Sequence, residues 1–575
     1  MKKPDKAVKN TTSGPSLLSI IFNRDILPYS FELILVSFFI NLLALATPIF
    51  VLQVYDRVIF HAGLTTLQGL LIGMLIVIIF DALLKINRIR FFQAISAKND
   101  QLFSQEVFKK IFHLPLKTLE EKPLWYWQSL FQDTALIRNV LGGATAALLV
   151  DIPFSLLFLS VTIIIAPSLW WVFVIILLLF IALALFSEKI IHQLSLSERQ
   201  IINERDTSLT DLLGQRESVK MMALEEYWQK DWEKKHQAGI DASITRGKSV
   251  DFYRVISQSM SLIFTVSLTS VGALAIINQE MTIGSLIAAN MLGSRLIAPF
   301  VQLVEQWRTL TQFNQALKRI DSFIRLPEDK SKTQIELPAG AGKIQLDDIQ
   351  FSYKPEANPA IYALKGSIGP NGLHIIMGKN GCGKSTLLKL LSGFYQPDKG
   401  VINLDEYDIQ QFSTAQLHQR IAYLAQKPEL FQCSIYDNIA AGSITSTDND
   451  IIEVSKIIQL HELITALPEG YDTIVKGGHQ GLSGGLVQRI ALARTLLGKT
   501  QIVLMDEPTN NLDEQAEQSL IKQLKRLSAT HTIIVATHCP ALVTLADSII
   551  VLDKGKVALA GPAKQVIEHL KKTQA

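Results

Sequence analysis

The residues Gly378, Lys379, Asn380, Gly381, Cys382, Gly383, Lys384, Ser385 and Thr386 run in a pattern that fits G-x4-G-K-[ST]. The apolar stretch LHIIM precedes them and the helical pattern TLLKLLSG follows, so the glycines fall between a strand and a helix. Glycine lets a backbone turn its N–H groups inward around phosphate oxygens, and the following helix adds a favourable field at its N-terminus. In such a loop Lys384 reaches the β- and γ-phosphates of a nucleoside triphosphate and Ser385 holds Mg2+.

A second cluster lies further along the chain, in IVLMDEPTNNLD. The apolar run Ile502 to Met505 predicts a buried strand, and Asp506 and Glu507 close it. Two carboxylates at that strand end sit beside the phosphates. Asp506 suits Mg2+, and Glu507 is placed to polarise an attacking water. Between the two clusters, Ser483, Gly484 and Gly485 open a long helical pattern and offer another helix N-terminus able to hold phosphate.

The elements that must position these residues divide the chain. Long apolar runs crowd the first half, and the remainder reads as a mixed α/β domain. A spanning helix needs about 20 mostly apolar residues. Six runs qualify, at 31–54, 64–87, 144–166, 169–187, 255–277 and 282–305. Basic residues crowd the two long connections, with Lys85, Arg88, Lys109 and Lys117 in the first and Arg199, Arg216, Lys230 and Arg246 in the second. The positive-inside rule places both connections, and both termini, in the cytoplasm. The organisation expected is therefore a cytoplasmic segment at 1–30, a six-helix membrane domain at 31–320, a linker at 321–341 and a nucleotide-binding domain at 342–575.

The long connections lack Gly/Pro clusters and read as continuations of the helices. They break near Pro115 and Pro123, and again around GQRESVKMMALEEYW. Those breaks are either solvated hairpins or coupling helices that dock on the second domain. Arg295 falls inside the sixth run, where charge is costly and usually faces a bundle interior or water. It is read as lining a central cavity; the alternative is an interfacial position. A formal net charge of +3 gives no argument for nucleic acid. Cys382, Cys433 and Cys539 share no repeated spacing, which excludes a disulfide framework or zinc site of recognisable pattern.

With these residues in place, the C-terminal part resembles the nucleotide-binding domains of ABC transporters. Residues 378–385 are similar to the Walker A loop, Gln426 in YLAQKPELF to the Q-loop, residues 482–485 to the LSGG signature, and residues 502–507 to Walker B with the catalytic glutamate. Tyr353 matches the adenine-stacking aromatic, the Asn511-Leu512-Asp513 run the D-loop, and His538 the switch histidine beside the γ-phosphate. The resemblance implies ATP and Mg2+ as cofactors, with Ser385, Gln426 and Asp506 toward the metal, and Glu507 and His538 as catalytic residues. It implies an ABC exporter fold, six membrane helices fused to an α/β P-loop NTPase domain. It also implies a homodimer, because ATP in this family lies between two such domains head to tail.

INLLALATPIFVLQVYDRV, VDIPF and SRLIAPFVQL further resemble type I secretion ATPases. That implies a place in a bacterial inner membrane, an exported protein or peptide cargo, a periplasmic adaptor and an outer-membrane channel. A lipid or drug exporter, and a non-transporting ATP-responsive regulator, are the alternatives. The chain departs from the family where Leu486 and Val487 follow LSGG in place of the usual Gln, and where Gly477 stands at the usual Glu of the loop before the signature. With a short segment before the first span, no leader-peptide cleavage is expected of this chain.

Overall fold

The computed structural model describes residues 27–59, 61–329, 338, 340–354, 356–443, 445–477 and 481–574. The expected segment at 1–30 therefore falls largely outside the described residues, and the expected linker at 321–341 does so at 330–337 and 339. Two compact units emerge. One takes in the described part of Met1–Phe112 with Lys122–Leu326; the other combines His113–Glu121 with Pro327–Ala575.

The first unit is all helical. Helices α1 (Leu27–Leu43) and α2 (Ala46–Gln53) form the first span with a closing π-turn, Val54–Ile59. The long α3 (Leu64–Phe112) follows. The short α4 (Leu116–Glu121) belongs to the second unit. The chain re-enters the first unit with α5 (Leu124–Leu141), α6 (Ala144–Asp151) and α7 (Ser155–Ile165), the last two joined at Pro153 by a 3-10 turn. Helices α8 (Trp170–Gly214), α9 (Arg216–Met221), α10 (Glu225–Ile277) and α11 (Ile283–Ile324) complete it.

Among the described residues, six helical segments are long and apolar enough to cross a membrane, and each overlaps one of the six runs read from sequence. The protein is a multi-pass membrane protein. The 53 residues of α10 reach about 80 Å at about 1.5 Å per residue, far beyond a hydrocarbon core of about 30 Å. The excess carries the charge: its apolar part lies toward Ile277 and its charged part toward Glu225. Phe173, Phe180, Phe264, Leu268, Leu292 and Leu296 are buried in the core of the spans. Gly293 permits their approach, since a Cβ there would lie 2.6 Å from the Phe264 ring.

Ion pairs also join the helices of the first unit. Arg88 donates to both oxygens of Asp151, at 2.9 and 3.1 Å, and Asn41 donates to the same carboxylate at 3.2 Å. Arg319 grips Asp133 in a two-point contact. Arg246 grips Glu198 across α8 and α10, at 2.5 and 3.1 Å, with side chains only 7% and 11% exposed. Cutting one partner of a buried pair strands the other charge. Arg246→Ala is therefore expected to destabilise the lipid-embedded protein by about 3 to 5 kcal/mol, seen as a lower thermal unfolding midpoint. The apolar double variant Arg246→Met/Glu198→Leu should recover most of the loss.

The second unit contains two sheets. The smaller is antiparallel, in the order β2-β1-β4-β5, from β1 (Ile344–Phe351), β2 (Ile361–Ile368), β4 (Lys399–Leu404) and β5 (Tyr407–Asp408). The larger runs β10-β9-β3-β8-β7-β6, from β3 (Gly372–Gly378), β6 (Ile421–Leu424), β7 (Ile502–Asp506), β8 (Thr532–Ala536), β9 (Ser548–Asp553) and β10 (Lys556–Pro562). It is parallel except at β10. Every residue of β7 and β8 is buried, as expected for parallel strands covered on both faces. Alternation divides the core: Leu373, Ile375, Val503, Met505, Ile533 and Val535 face one cluster, whereas Ile376, Leu504 and Ile534 face another. Helix α12 (Lys384–Leu391) packs into the second cluster, and α13 (Gly484–Leu497) and α14 (Glu514–Leu527) into the first.

Candidate functional site

Parallel pairing brings the strand ends level. Ala536 of β8 stands opposite Ile376 of β3 on one side and opposite Asp506 of β7 on the other. The loops after these three strands therefore leave the sheet at one edge, the carboxyl edge where ligands bind in such sheets. Leu424 of β6 pairs with Met505, so Gln426 leaves the sheet at that edge too.

The 378–385 loop requires its glycines. Gly378, Gly381 and Gly383 hold φ of 149°, 81° and 106°, a region that side chains disfavour. A Cβ on Gly378 would lie 2.3 Å from the Leu552 carbonyl oxygen. Lys384 is buried, and its Nζ donates to the Gly378 carbonyl at 2.8 Å and to His538 Nε2 at 3.0 Å. A lysine only donates, so Nε2 accepts here and the imidazole proton sits on Nδ1. The Thr386 hydroxyl is buried and pairs with the Tyr353 hydroxyl at 2.8 Å, leaving the Tyr353 ring partly exposed.

Asp506 is buried, beside Ser385. Its Oδ2 has no partner among the described residues. Burial above all raises its pKa; the Ser385 hydrogen bond opposes this, the Glu507 charge adds to it, and Lys384 and Lys389 oppose it. An orphaned buried carboxylate oxygen next to a hydroxyl is a donor set that fits a hard divalent cation. Glu507 has a φ of 47°, strained for a residue with a side chain. Its N–H donates to the Ala536 carbonyl, Thr537 donates to its Oε2 at 3.3 Å, and His538 Nε2 lies 4.0 Å from its Oε1. Lys384, Asp506, Glu507 and His538 thus converge at one edge.

Other predicted residues stand apart. Ser483 caps α13 by accepting from the Leu486 N–H at 3.3 Å, and Gly485 abuts Asn511, whose carbonyl a Cβ would meet at 2.6 Å. Asp513 caps α14, accepting from the Ala516 N–H at 2.8 Å, and it also pairs with Arg489. The Ala516 hydrogen bond is the main cause that holds its carboxyl below the usual range. No hydrogen bond among the described residues joins Ser483, Gly484 or Gly485 to the 378–386 loop. The departures from the family pattern have a packing reason at Leu486 and Val487, both buried. Arg295 is exposed on α11, with no ion pair among the described residues. A cavity of about 600 Å³, lined by Leu196, Arg199 and Lys235 among others, lies elsewhere in the first unit.

Sequence reasoning did not single out Thr537, Lys389, Tyr395 or Glu120. Thr537 was within reach, because it opens the loop that leaves β8 and immediately precedes His538. Lys389 and Tyr395 belong to no motif, and their partner Glu120 is remote in sequence.

Comparison with known proteins accords with this geometry. Residues 362–510 match the family described as ABC transporter, and residues 30–300 match the ABC transporter transmembrane region. The alpha-hemolysin translocation ATP-binding protein HlyB of Escherichia coli O157:H7 is 31% identical over 93% of this chain and 76% of its own length. The cyclolysin secretion/processing ATP-binding protein CyaB of Bordetella pertussis strain Tohama I is 28% identical over 92% of this chain and 74% of its own. A bacterial Atm1-family ABC exporter solved with ATP bound superposes with a TM-score of 0.84 at 21% identity, covering 94% of this chain and 97% of that one. At that identity the likeness concerns the fold.

Proposed function

We propose that this chain, which belongs to the ABC transporter family and couples ATP hydrolysis to transport, is the translocase of a bacterial protein-secretion apparatus. The observation that carries this reading is the breadth of the match to HlyB and CyaB, named for toxin translocation and secretion, which spans the membrane half as well as the ATPase. By the same reading the chain lies in the inner membrane with both termini in the cytoplasm, as the basic long connections support. A periplasmic adaptor and an outer-membrane channel complete the path.

The proposed working form is a homodimer. In one subunit Ser483 caps its own helix and makes no hydrogen bond to the phosphate loop among the described residues. Two copies, head to tail, bring Ser483 of the partner subunit to a nucleotide held on Lys384 and Ser385. Tyr353 offers its exposed ring to the base. Ser385, Asp506 and Gln426 are the proposed holders of Mg2+, which when bound supplies positive charge against the phosphate oxygens. Glu507 takes the proton of the attacking water, and His538 stands between Glu507 and the γ-phosphate. ATP favours the closed pair because only closure completes the site. The breaks at 113–121 and around α9 are the coupling segments that carry closure to the spans. Arg295, exposed on α11 and without an ion pair among the described residues, is proposed to face the passage between the two copies.

Deleting the gene in its host tests the cargo. Loss of particular polypeptides from the medium, restored by the wild-type gene but not by Glu507→Gln, supports secretion. An unchanged secreted set with altered membrane lipid or drug tolerance would replace it with a lipid or drug exporter. No change in either, with ATP hydrolysis intact, would make the chain a regulator.

A further inference from the structure

The short helix α4 folds with the nucleotide-binding unit although it lies between α3 and α5 of the other. Pro115 and Pro123 stop those helices from running through, since neither offers a backbone N–H. Backbone and side-chain contacts hold α4 and its flank. The His113 carbonyl accepts from the Asp329 N–H at 2.7 Å. Lys117 donates to the Ser352 carbonyl at 3.1 Å and lies 4.9 Å from the centre of the Phe351 ring. Glu120 accepts from Lys389 at 2.8 Å through one oxygen and from the Tyr395 hydroxyl through the other.

The two partners of Glu120 lead to opposite ends of a nucleotide. Lys389 sits on α12, little more than a turn beyond Lys384 at the phosphate end. Tyr395, 2% exposed, stacks on Phe351 with ring centres 5.0 Å apart and meets the Tyr353 ring edge-on at 5.8 Å. Tyr353 is the residue proposed to take the base. One carboxylate therefore ties both the phosphate-facing helix and the base-facing aromatic cluster to the segment leading into α3 and α5. Gly477, at the usual Glu of the loop before the signature, has no side chain, and a Cβ there would lie 2.8 Å from Gln432 Nε2.

We propose that Glu120 is a positioning residue that transmits nucleotide occupancy to α3 and α5, by holding α4 at once to Lys389 and to Tyr395. This rests on the reading of 113–121 as a coupling segment and names the group that does the coupling. Glu120 touches no reacting atom, so its loss should leave nucleotide binding in place and sever the response beyond it. Hydrogen exchange of the full-length protein in lipid nanodiscs, with and without Mg·ATP, reads both. Wild type should gain protection at 378–386 and change its exchange at 122–135. Glu120→Gln and the milder Tyr395→Phe should keep the first and lose most of the second. Turnover should fall about five- to tenfold, the low end of a typical coupling between sites, with KM for ATP within about twofold. The charge-reversed pair Glu120→Lys/Lys389→Glu should restore part of the response. Wild-type exchange at 122–135 in both single variants would overturn the proposal. A wild type protected at 378–386 yet silent at 122–135 would instead remove the coupling-segment reading, and no protection at 378–386 would remove the nucleotide reading; the proposal falls with either.

Discussion

Glu507→Gln is expected to bind ATP as the wild type does and to lose about 10²- to 10⁴-fold in hydrolysis, the range attributed to a positioned general base. The local structure explains why the loss should be confined to chemistry. The backbone of Glu507 is held at positive φ by the Ala536 carbonyl, a contact made by its N–H and indifferent to the side chain. A glutamine has the same shape, and its amide oxygen can accept from Thr537 as Oε2 does now. What disappears is the negative charge and the capacity to take a proton. A second effect follows at Asp506, whose pKa the Glu507 charge helps to raise. Removing that charge makes Asp506 easier to ionise, so its carboxylate form persists to lower pH. Binding stays while turnover stops, and closed dimers should accumulate. ATP-dependent crosslinking between the two copies, measured with phosphate release, checks both arms. A variant that hydrolyses at wild-type rate removes Glu507 from the chemistry. One whose crosslinking is indifferent to ATP removes the head-to-tail pair.

The residues legible in sequence were those whose role depends on local order. The 378–385 loop could be read because strand, glycines and helix are contiguous, and the positive φ of Gly378, Gly381 and Gly383 is the conformation such a string serves. Asp506 could be read because a fully apolar strand precedes it. The six spans were legible because about 20 apolar residues in a row have few other uses. Sequence could not order the strands: that β8 sits between β3 and β7, so that His538 reaches Lys384 at 3.0 Å, is a fact of topology. It could not join Glu120 to Tyr395, 275 positions apart. Nor could it foresee that Ser483 and Asp513, read as phosphate-side residues, spend their side chains as helix caps within one subunit. Motif reading names a residue by what it can offer a ligand. Capping is a competing use of the same oxygen, and only the backbone around it reveals which hydrogen bonds are already made.

Lys384→Ala should weaken ATP binding itself, in contrast to the glutamate variant. Nζ lies against the 378–385 loop, where it now donates to the Gly378 carbonyl and to His538. Those two contacts are stand-ins that phosphate oxygens would displace, since a charged donor prefers a charged acceptor. Hydrogen bonds to charged groups contribute about 1.5 to 3 kcal/mol, so nucleotide affinity should drop about 10- to 100-fold. The loss should be larger for ATP than for ADP, because the side chain serves the β- and γ-phosphates, and ADP lacks the second. The fold should survive: the loop is shaped by its glycines, and truncation leaves the Gly378 carbonyl to water. Calorimetric titration with ATP and with ADP measures the difference. Equal weakening of both would place Lys384 on the β-phosphate alone. Unchanged affinity would mean that the loop's backbone N–H groups bind the phosphates without it.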